Sequence, residues 1–307
     1  MNEDLRKIFG AELTAHSAVS IGAFDGLHLG HRHIINNTVE YAKQHGVYSA
    51  AILFDPLPSV FFGRIGPNER ILLRNEQETM LNEMGIDRII FLPFSIEIAN
   101  LSTNDFLSAM QSVLYCEHLI MGEDFSIGKD RSGSAAVLAE LGASFGYTTE
   151  ILSKDVMDGD VISSTRIRAL LHQGRLPEAN RLLGYSFFFT GNIIHGDARG
   201  RKLGFPTLNV KIPEGKLTLP NGVYAVINHI DGVKYASVTN IGVRPTFGLD
   251  DKGIFVESYL LNTSGSFYGE SSRLEFIEML RPEIRFSSAE DLKAQISRDI
   301  QKAEKIL

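Results

Sequence analysis

The chain has 307 residues, which is long enough for two domains that each bury their own core. Its 30 Lys and Arg against 37 Asp and Glu give a formal net charge of -7, which argues against bulk electrostatic binding to nucleic acid or to an anionic membrane. The single cysteine, Cys116, excludes an internal disulfide. No apolar run approaches the length of a membrane span, and the start, MNEDLRKIF, lacks the apolar core of a signal peptide, so we expect a cytoplasmic protein.

The first predicted strand and helix enclose a glycine-rich turn, GAFDGLHLGH at residues 22–31. Residues 18–21 are apolar enough for a buried strand, and residues 32–44 carry apolar side chains at helical spacing. A helix that begins after such a turn directs unpaired N–H groups at an anion, and His28 and His31 add imidazole donors. This pattern favours phosphate chemistry; the alternative is an ordinary tight turn with a capped helix.

The first ~150 residues alternate short apolar runs with amphipathic ones, which predicts a parallel sheet with helices on both faces. Further strands are predicted at residues 48–54, 88–92, 118–121 and 148–152, and further helices at 74–84, 102–114 and 135–145. Ligands of such sheets bind beyond the carboxyl ends of the strands, where residues 22–31, 55–58 and 122–133 lie.

Two later polar stretches also suit anions. Residues 122–133, GEDFSIGKDRSG, place two cations between glycines, and residues 163–168, SSTRIR, open a predicted helix with three hydroxyl side chains and two arginines. The helix start, hydroxyls and guanidinium groups can hold a departing diphosphate. Alone, each stretch can equally be a surface loop or a helix cap with solvated arginines.

Together, GAFDGLHLGH, FDPLPS, MGEDFSIGKDRSG, ISSTRIRALLHQG and ANRLLG resemble, in this order, the FMN adenylyltransferase half of the bacterial bifunctional riboflavin kinase/FAD synthetase family. The resemblance implies a Rossmann-like nucleotidylyltransferase domain in which His28 and His31 are catalytic and FMN shares the pocket. Leu57 departs from the polar or basic residue of many members. The nucleotide-binding positions implied are Gly22, Phe24, Gly30, Asp124, Ser164, Thr165 and Arg168.

The pattern changes near residues 184–185 to short β-rich runs, so we predict domains at residues 1–185 and 186–307. Strands are predicted at 187–194, 222–230, 234–240, 255–261 and 273–277, with Asp231-Gly232 as a two-residue hairpin turn. A final helix begins near Ser288, and its apolar stripe consists of Leu292, Ile296 and Ile300.

The string GDARGRKLGFPTLN at residues 196–209 combines a glycine- and cation-rich loop with Thr207 and Asn209, whose oxygens suit Mg²⁺. Strand alternation is expected to put both on one face. The alternative is a basic loop that leads into an edge strand. The string resembles the family's GRxLGFPTxN kinase motif, which implies a small antiparallel barrel, Mg²⁺ at Thr207 and Asn209, and Glu257 as catalytic base. The nucleotide-binding positions implied are Gly200, Arg201, Gly204, Pro206, Thr207 and Asn209.

The resemblance therefore implies a FAD biosynthesis enzyme that phosphorylates riboflavin with ATP and Mg²⁺ and then adenylylates FMN to FAD, with riboflavin, FMN, FAD and ATP as partners. Two alternatives remain at this point. One is a nucleotidylyltransferase for another phosphorylated substrate, and the other is a flavin- or nucleotide-binding regulator without turnover. Residues 261–269 lack the aspartates that often precede the family's Tyr-Gly, which leaves substrate affinity open. The sequence predicts no oligomeric state.

Overall fold

The computed structural model describes residues 3–195, 204–243, 254–263, 265 and 267–307. The chain divides into two compact units, Met1–Pro67 with Leu72–Ser164 and Asn68–Ile71 with Thr165–Leu307. The predicted domain boundary between residues 185 and 186 lies within the second unit and stays a prediction. No helix in the described part of the chain is long and apolar enough to cross a membrane.

The first unit contains the predicted parallel sheet, which is confirmed. Its strands are β1 (Ser17–Ile21), β2 (Tyr48–Asp55), β3 (Arg88–Pro93), β4 (Cys116–Gly122) and β7 (Thr148–Leu152). They lie in the order β3-β2-β1-β4-β7, and every pairing is parallel. All five residues of β1 are buried, as expected for a strand that is covered on both faces. Two hairpins of two-residue strands complete the unit: β5 (Ser126–Ile127) with β6 (Gly133–Ser134), and β8 (Val156–Met157) with β9 (Asp160–Val161).

The helices that contain Phe9, Phe106 and Leu138 pack on this sheet through a continuous apolar core. The predicted helix start at Ser102 is confirmed, because the Ser102 side chain accepts a hydrogen bond from the Asp105 N–H. The helices are α1 (Glu3–Phe9), α2 (Leu29–His45), α3 (Pro58–Phe61), α4 (Arg74–Glu83), α5 (Ile96–Ala99), α6 (Thr103–Leu114) and α7 (Ala135–Phe145).

The second unit contains a closed barrel in the order β10-β11-β14-β13-β12-β15, with antiparallel pairing throughout. The barrel that the resemblance implied is thus confirmed. Its strands are β10 (Phe188–Ile194), β11 (Leu208–Val210), β12 (Gly222–Ile230), β13 (Val233–Val243), β14 (Ile254–Leu260) and β15 (Ser271–Pro282). Strand β11 pairs with β10 and β14, so it is not an edge strand. Asp231 and Gly232, both with positive φ, form the predicted hairpin turn.

In the described part of the chain, three helices accompany the barrel: α8 (Ser164–His172), whose first residue belongs to the first unit, α9 (Leu176–Leu183) and α10 (Ala289–Ala303). Helix α10 begins after Ser288, as predicted, and the Ser288 side chain accepts a hydrogen bond from the Asp291 N–H. Of the predicted apolar stripe, Ile300 packs against the barrel cluster that contains Val223 and Val238, while Leu292 and Ile296 are half-buried.

Candidate active sites

The glycine-rich turn connects β1 to α2, as the sequence predicts. His28 is the N-cap residue of α2, and its Nδ1 accepts a hydrogen bond from the His31 N–H at 3.3 Å. The two imidazole rings stack with centroids 3.6 Å apart and an interplanar angle of 17°. The helix start and both rings therefore lie together, which gives one anion-binding corner.

His31 is poised to act as a neutral donor or acceptor. Burial, and secondly the neighbouring His28, hold the pKa of His31 well below its usual value. Its Nδ1 atom is buried and has no hydrogen-bond partner among the described residues. A buried polar atom without a partner costs free energy, so this nitrogen fits a ligand that supplies the missing hydrogen bond.

A cavity of about 640 Å³ opens beside this corner. Of the residues predicted from the sequence, Gly22, Phe24, His31 and Asp124 line it together. Gly30 lies outside the lining, but a Cβ at this position would come within 3.5 Å of the His28 ring and of the Asp155 carboxylate. These are ordinary contact distances, so Gly30 lies beside His28 but the space there does not itself require glycine.

The cavity also has an aromatic wall that the sequence did not predict. Phe54 at the end of β2, Phe62 after α3 and Phe94 after β3 all line it, and Phe54 and Phe62 each contact the Phe94 ring edge-on. Phe62 is 49% exposed, which is unusual for a phenylalanine. Such a wall suits a flat apolar ring, whereas Leu57, the noted departure, is 1% exposed and does not line the cavity.

Charged side chains also reach the cavity lining. Asp124 forms an ion pair with Lys154, with 3.3 Å between Oδ2 and Nζ. Arg131 donates hydrogen bonds to the Ser126 hydroxyl at 2.6 Å and to the Asp124 carbonyl oxygen at 3.4 Å. The loop at residues 122–133 is therefore built into the cavity wall and is not a detached surface loop.

The predicted phosphate-binding residues of α8 divide between the two units. The Ser164 hydroxyl donates to the carbonyl oxygen of Asp25 in the glycine-rich turn at 2.7 Å. Thr165 and Arg168 belong to the second unit, where the Arg168 Nε donates to the Glu69 carbonyl oxygen at 2.9 Å. A role for Thr165 and Arg168 in holding ATP stays a prediction.

The barrel holds the second group of candidate residues. Asn209 on β11 lies directly opposite Glu257 on β14, and Glu257 in turn lies opposite Asn240 on β13. Directly paired residues of antiparallel strands share a face, so these three side chains lie on one side of the sheet. Asn240 was not predicted, because its place depends on the β13–β14 register.

Glu257 shares its side of β14 with Phe255 and Tyr259, as alternation predicts. These three residues are half-buried, whereas Val256 and Ser258 between them are fully buried. The ring of Phe205, from the predicted kinase motif, contacts Tyr259 edge-on at 5.5 Å. The motif and the strand that carries Glu257 therefore meet at one surface of the barrel.

The side chain of Asn209 fits a role as a metal ligand. It is 6% exposed, and its Oδ1 has no hydrogen-bond partner within the described ranges. An amide oxygen is a hard ligand of the kind that Mg²⁺ prefers. Among the described residues no group of three His, Cys, Asp or Glu could hold a metal, so a cation here would rely on amide and hydroxyl oxygens and on substrate phosphates.

The remaining residues of the predicted kinase motif precede β11. Thr207 is half-buried and precedes the first residue of β11, so strand alternation does not itself place it beside Asn209. Gly204 has a φ of 91°, a conformation that favours glycine, and Pro206 is exposed. Gly200 and Arg201 lie outside the described residues.

Comparison with known proteins is consistent with these two sites. A family model described as FAD synthetase matches residues 11–166, and one described as riboflavin kinase matches residues 183–307. A solved structure from Streptococcus pneumoniae, named a macrolide-efflux protein, has a TM-score of 0.89 at 26% identity and covers 97% of each chain. This likeness supports the fold over the whole length.

Curated relatives named bifunctional riboflavin kinase/FMN adenylyltransferase match along nearly the whole chain. The protein from Pseudomonas fluorescens is 37% identical over 92% of this chain and 90% of its own. The protein from Listeria monocytogenes is 36% identical over 93% and 91%, and that from Bacillus subtilis is 33% identical over 95% and 93%. With both family models matched in the order that the two candidate sites require, the chain belongs to the family of bifunctional riboflavin kinase/FMN adenylyltransferases.

Proposed function

We propose that the cavity of the first unit converts FMN and ATP to FAD and diphosphate, and that the barrel converts riboflavin and ATP to FMN and ADP. The chain is thus a bifunctional enzyme of FAD biosynthesis. The observation that carries this assignment is the pair of separate sites, each with a buried nitrogen or oxygen that has no hydrogen-bond partner among the described residues: His31 Nδ1 in one unit and Asn209 Oδ1 in the other. The alternative reaction classes are not favoured, because both family models match.

In the first unit, a phosphate oxygen of FMN attacks the α-phosphorus of ATP, and the bond to the β-phosphate oxygen breaks. No covalent bond to the protein forms, so the site has to position the reactants and stabilise negative charge. The N-terminus of α2, His28 and His31 supply N–H groups at the corner of the cavity. A neutral imidazole donates one hydrogen bond to a phosphate oxygen without losing a proton.

The aromatic wall of the cavity supports the binding of FMN in this unit. Phe54, Phe62 and Phe94 line a cavity of about 640 Å³, and aromatic side chains suit a planar isoalloxazine ring. The flavin phosphate then points toward His31, which lines the same cavity. Asp124, which is paired with Lys154, is a polar group of the same lining that can orient the bound flavin.

In the barrel, Glu257 takes the proton from the ribityl 5′-hydroxyl of riboflavin, the freed oxygen attacks the γ-phosphorus of ATP, and ADP leaves. The Asn209 side-chain Oδ1 and the Thr207 hydroxyl would hold Mg²⁺, which neutralises phosphate charge when it is bound. The side chain of Glu257 lies on the same face as Asn209, so base and nucleotide are brought to one surface. Both reactions consume ATP, which agrees with the cytoplasmic location expected from the sequence.

The test uses the purified full-length protein with riboflavin, ATP and Mg²⁺, followed by chromatographic separation of the flavins. We expect FMN to appear first and FAD to follow, and we expect FMN supplied alone to give FAD and diphosphate. A control with excess chelator should stop riboflavin phosphorylation. If neither flavin product forms, the chain is a binding protein without turnover, and the proposal fails.

A further inference from the structure

The glycine-rich turn adopts a conformation that its own sequence disfavours. Phe24 and Leu27 have φ values of 46° and 35°, in the left-handed region where side chains other than glycine are uncommon. Both residues are almost fully buried, so the turn cannot relax into solvent. Surrounding groups must therefore hold this backbone in place.

The side chain of Gln77 holds the backbone of the turn on both sides of Phe24. Gln77 lies on α4, is 1% exposed, and donates from Nε2 to the carbonyl oxygens of Ala23 at 3.2 Å and Phe24 at 3.0 Å. The Phe24 carbonyl also accepts from the Leu27 N–H at 3.1 Å. The peptide groups before and after Phe24 are thus both fixed, and with them the φ and ψ of this residue.

The ring of Phe24 in turn contacts the anion-binding corner. It meets the His31 ring edge-on, with centroids 5.4 Å apart and an interplanar angle of 89°. Gly22 makes room for it, because a Cβ there would lie 2.9 Å from the Phe24 ring. The His31 ring is therefore oriented by Phe24 and by the stacked His28 together.

We propose that Gln77 is a positioning residue for adenylyl transfer, which acts through the backbone of Phe24 on the orientation of the His31 ring. This inference rests on the proposed function of the first unit. Gln77 does not line the cavity, so it has no part in holding either substrate directly. Its effect should therefore fall on the rate of the bound complex and not on substrate affinity.

The test compares Gln77→Met with Gln77→Lys in the full-length protein. Methionine keeps the length of the side chain but has no donor, whereas lysine keeps a donor for the two carbonyl oxygens. We expect Gln77→Met to lower kcat for FAD formation by about 10-fold to 100-fold, the range that a small misplacement of reacting groups costs. The KM for ATP and for FMN should change little, and Gln77→Lys should recover most of the rate.

Two controls separate positioning from general loss of structure. Riboflavin phosphorylation by the same Gln77→Met sample should stay at the wild-type rate, since Gln77 belongs to the other unit. The imidazole nitrogen signals of His31 should shift in the NMR spectrum of Gln77→Met, whereas those of His45, at the far end of α2, should not. If Gln77→Met does not fold, Gln77→Glu, with nearly the same shape and no donor when ionised, takes its place.

The outcomes distinguish this inference from the proposed function. Wild-type protein that makes no FAD would remove the adenylyltransferase assignment and this role with it. Wild-type activity together with unchanged kcat in Gln77→Met would overturn the positioning role alone. Three other outcomes would also overturn the positioning role: parallel loss of both reactions, a rise in KM without a fall in kcat, or loss of the fold in both variants. Each would mean that Gln77 serves stability or binding.

Discussion

Asn209 and Glu257 lie directly opposite each other on β11 and β14. The side-chain oxygen of Asn209 has no hydrogen-bond partner among the described residues, and Glu257 carries a carboxylate. One backbone pairing thus fixes the distance between a metal-ligand candidate and a base candidate. Both strands belong to a closed barrel, so neither can slip in register without disrupting its other neighbour.

The carboxylate of Glu257 should be needed for its basicity. Glu257→Gln keeps the size and polarity of the side chain but cannot take a proton, so we expect turnover of riboflavin to fall by ~10² or more. FAD formation from supplied FMN should be unchanged, which serves as the internal control. Steady-state kinetics with each substrate and circular dichroism check this, and normal riboflavin turnover would remove Glu257 from catalysis.

The amide oxygen of Asn209 should matter for the metal. Asn209→Ala removes it, so we expect riboflavin phosphorylation to need a several-fold higher Mg²⁺ concentration, because a hard oxygen ligand is lost. A matched control is Asn192→Ala, which removes an exposed amide from β10. The measurement is the rate of riboflavin phosphorylation by both variants and the wild type as a function of Mg²⁺ concentration. Equal half-saturation in Asn209→Ala and wild type would contradict the assignment.

The sequence predicted the parts of each site that lie in one continuous stretch. The turn with His28 and His31 belongs to this class, whereas Thr207 and Asn209 stay predicted metal ligands. The aromatic wall was missed because Phe54, Phe62 and Phe94 come from three separate segments, and a single phenylalanine in a sequence is indistinguishable from a core residue. Only the parallel order of the strands brings them to one cavity.

The sequence also did not predict the strand register or the long-range hydrogen bonds. Asn240 lies beside Glu257 because of the β13–β14 register, and no local pattern encodes that pairing. Gln77 looks like an ordinary polar residue of an amphipathic helix, yet it is buried against a turn more than 50 positions earlier in the chain. Strands and helices follow local periodicity, whereas such contacts follow from tertiary packing.

The imidazole groups of the glycine-rich turn should be needed for one reaction only. We expect His31→Ala to lower FAD formation by ~10² to 10³, the usual cost of a donor at a centre of developing charge. FMN formation from riboflavin should stay near normal. His45→Ala, on the last turn of the same helix, is the control for effects of helix stability. FAD formation at the wild-type rate in His31→Ala would exclude His31 from adenylyl transfer.

The second unit should need α9 for its stability. The Asn180 side chain accepts from the Phe187 N–H at 2.8 Å and donates to the Phe276 carbonyl oxygen at 2.9 Å, and Leu176, Leu182 and Leu183 are at most 1% exposed. Each buried leucine contributes about 1.5 to 3 kcal/mol.

We therefore expect a fragment of residues 165–307 to be several kcal/mol more stable than one of residues 186–307, which starts at the predicted domain boundary, because three such side chains are retained. Denaturant unfolding of both fragments measures the difference. Equal free energies of unfolding would show that α9 contributes little to this unit, and riboflavin kinase activity of the shorter fragment would support the predicted boundary.

A buried histidine of the first unit should make stability depend on pH. The His118 ring stacks on Tyr41 with centroids 3.9 Å apart, and its Nδ1 is 2.7 Å from the Thr148 hydroxyl. Burial is the main cause that lowers the pKa of His118 below its usual value, and the nearby Glu150 opposes this effect without cancelling it. The folded state therefore binds a proton at this site less readily than the unfolded state does.

Because the pKa is lower in the folded state, the neutral ring favours folding above the unfolded pKa, and this contribution is lost as the pH falls through the folded pKa. We expect the Tm to fall from about pH 7.5 to about pH 5.5, a range that spans the usual histidine pKa of roughly 6.5. His118→Gln, which does not titrate, should show a smaller fall over the same range. His16→Gln, at an exposed position, is the control and should behave like wild type. The same pH dependence in His118→Gln and wild type would mean that other groups, His31 among them, cause the effect.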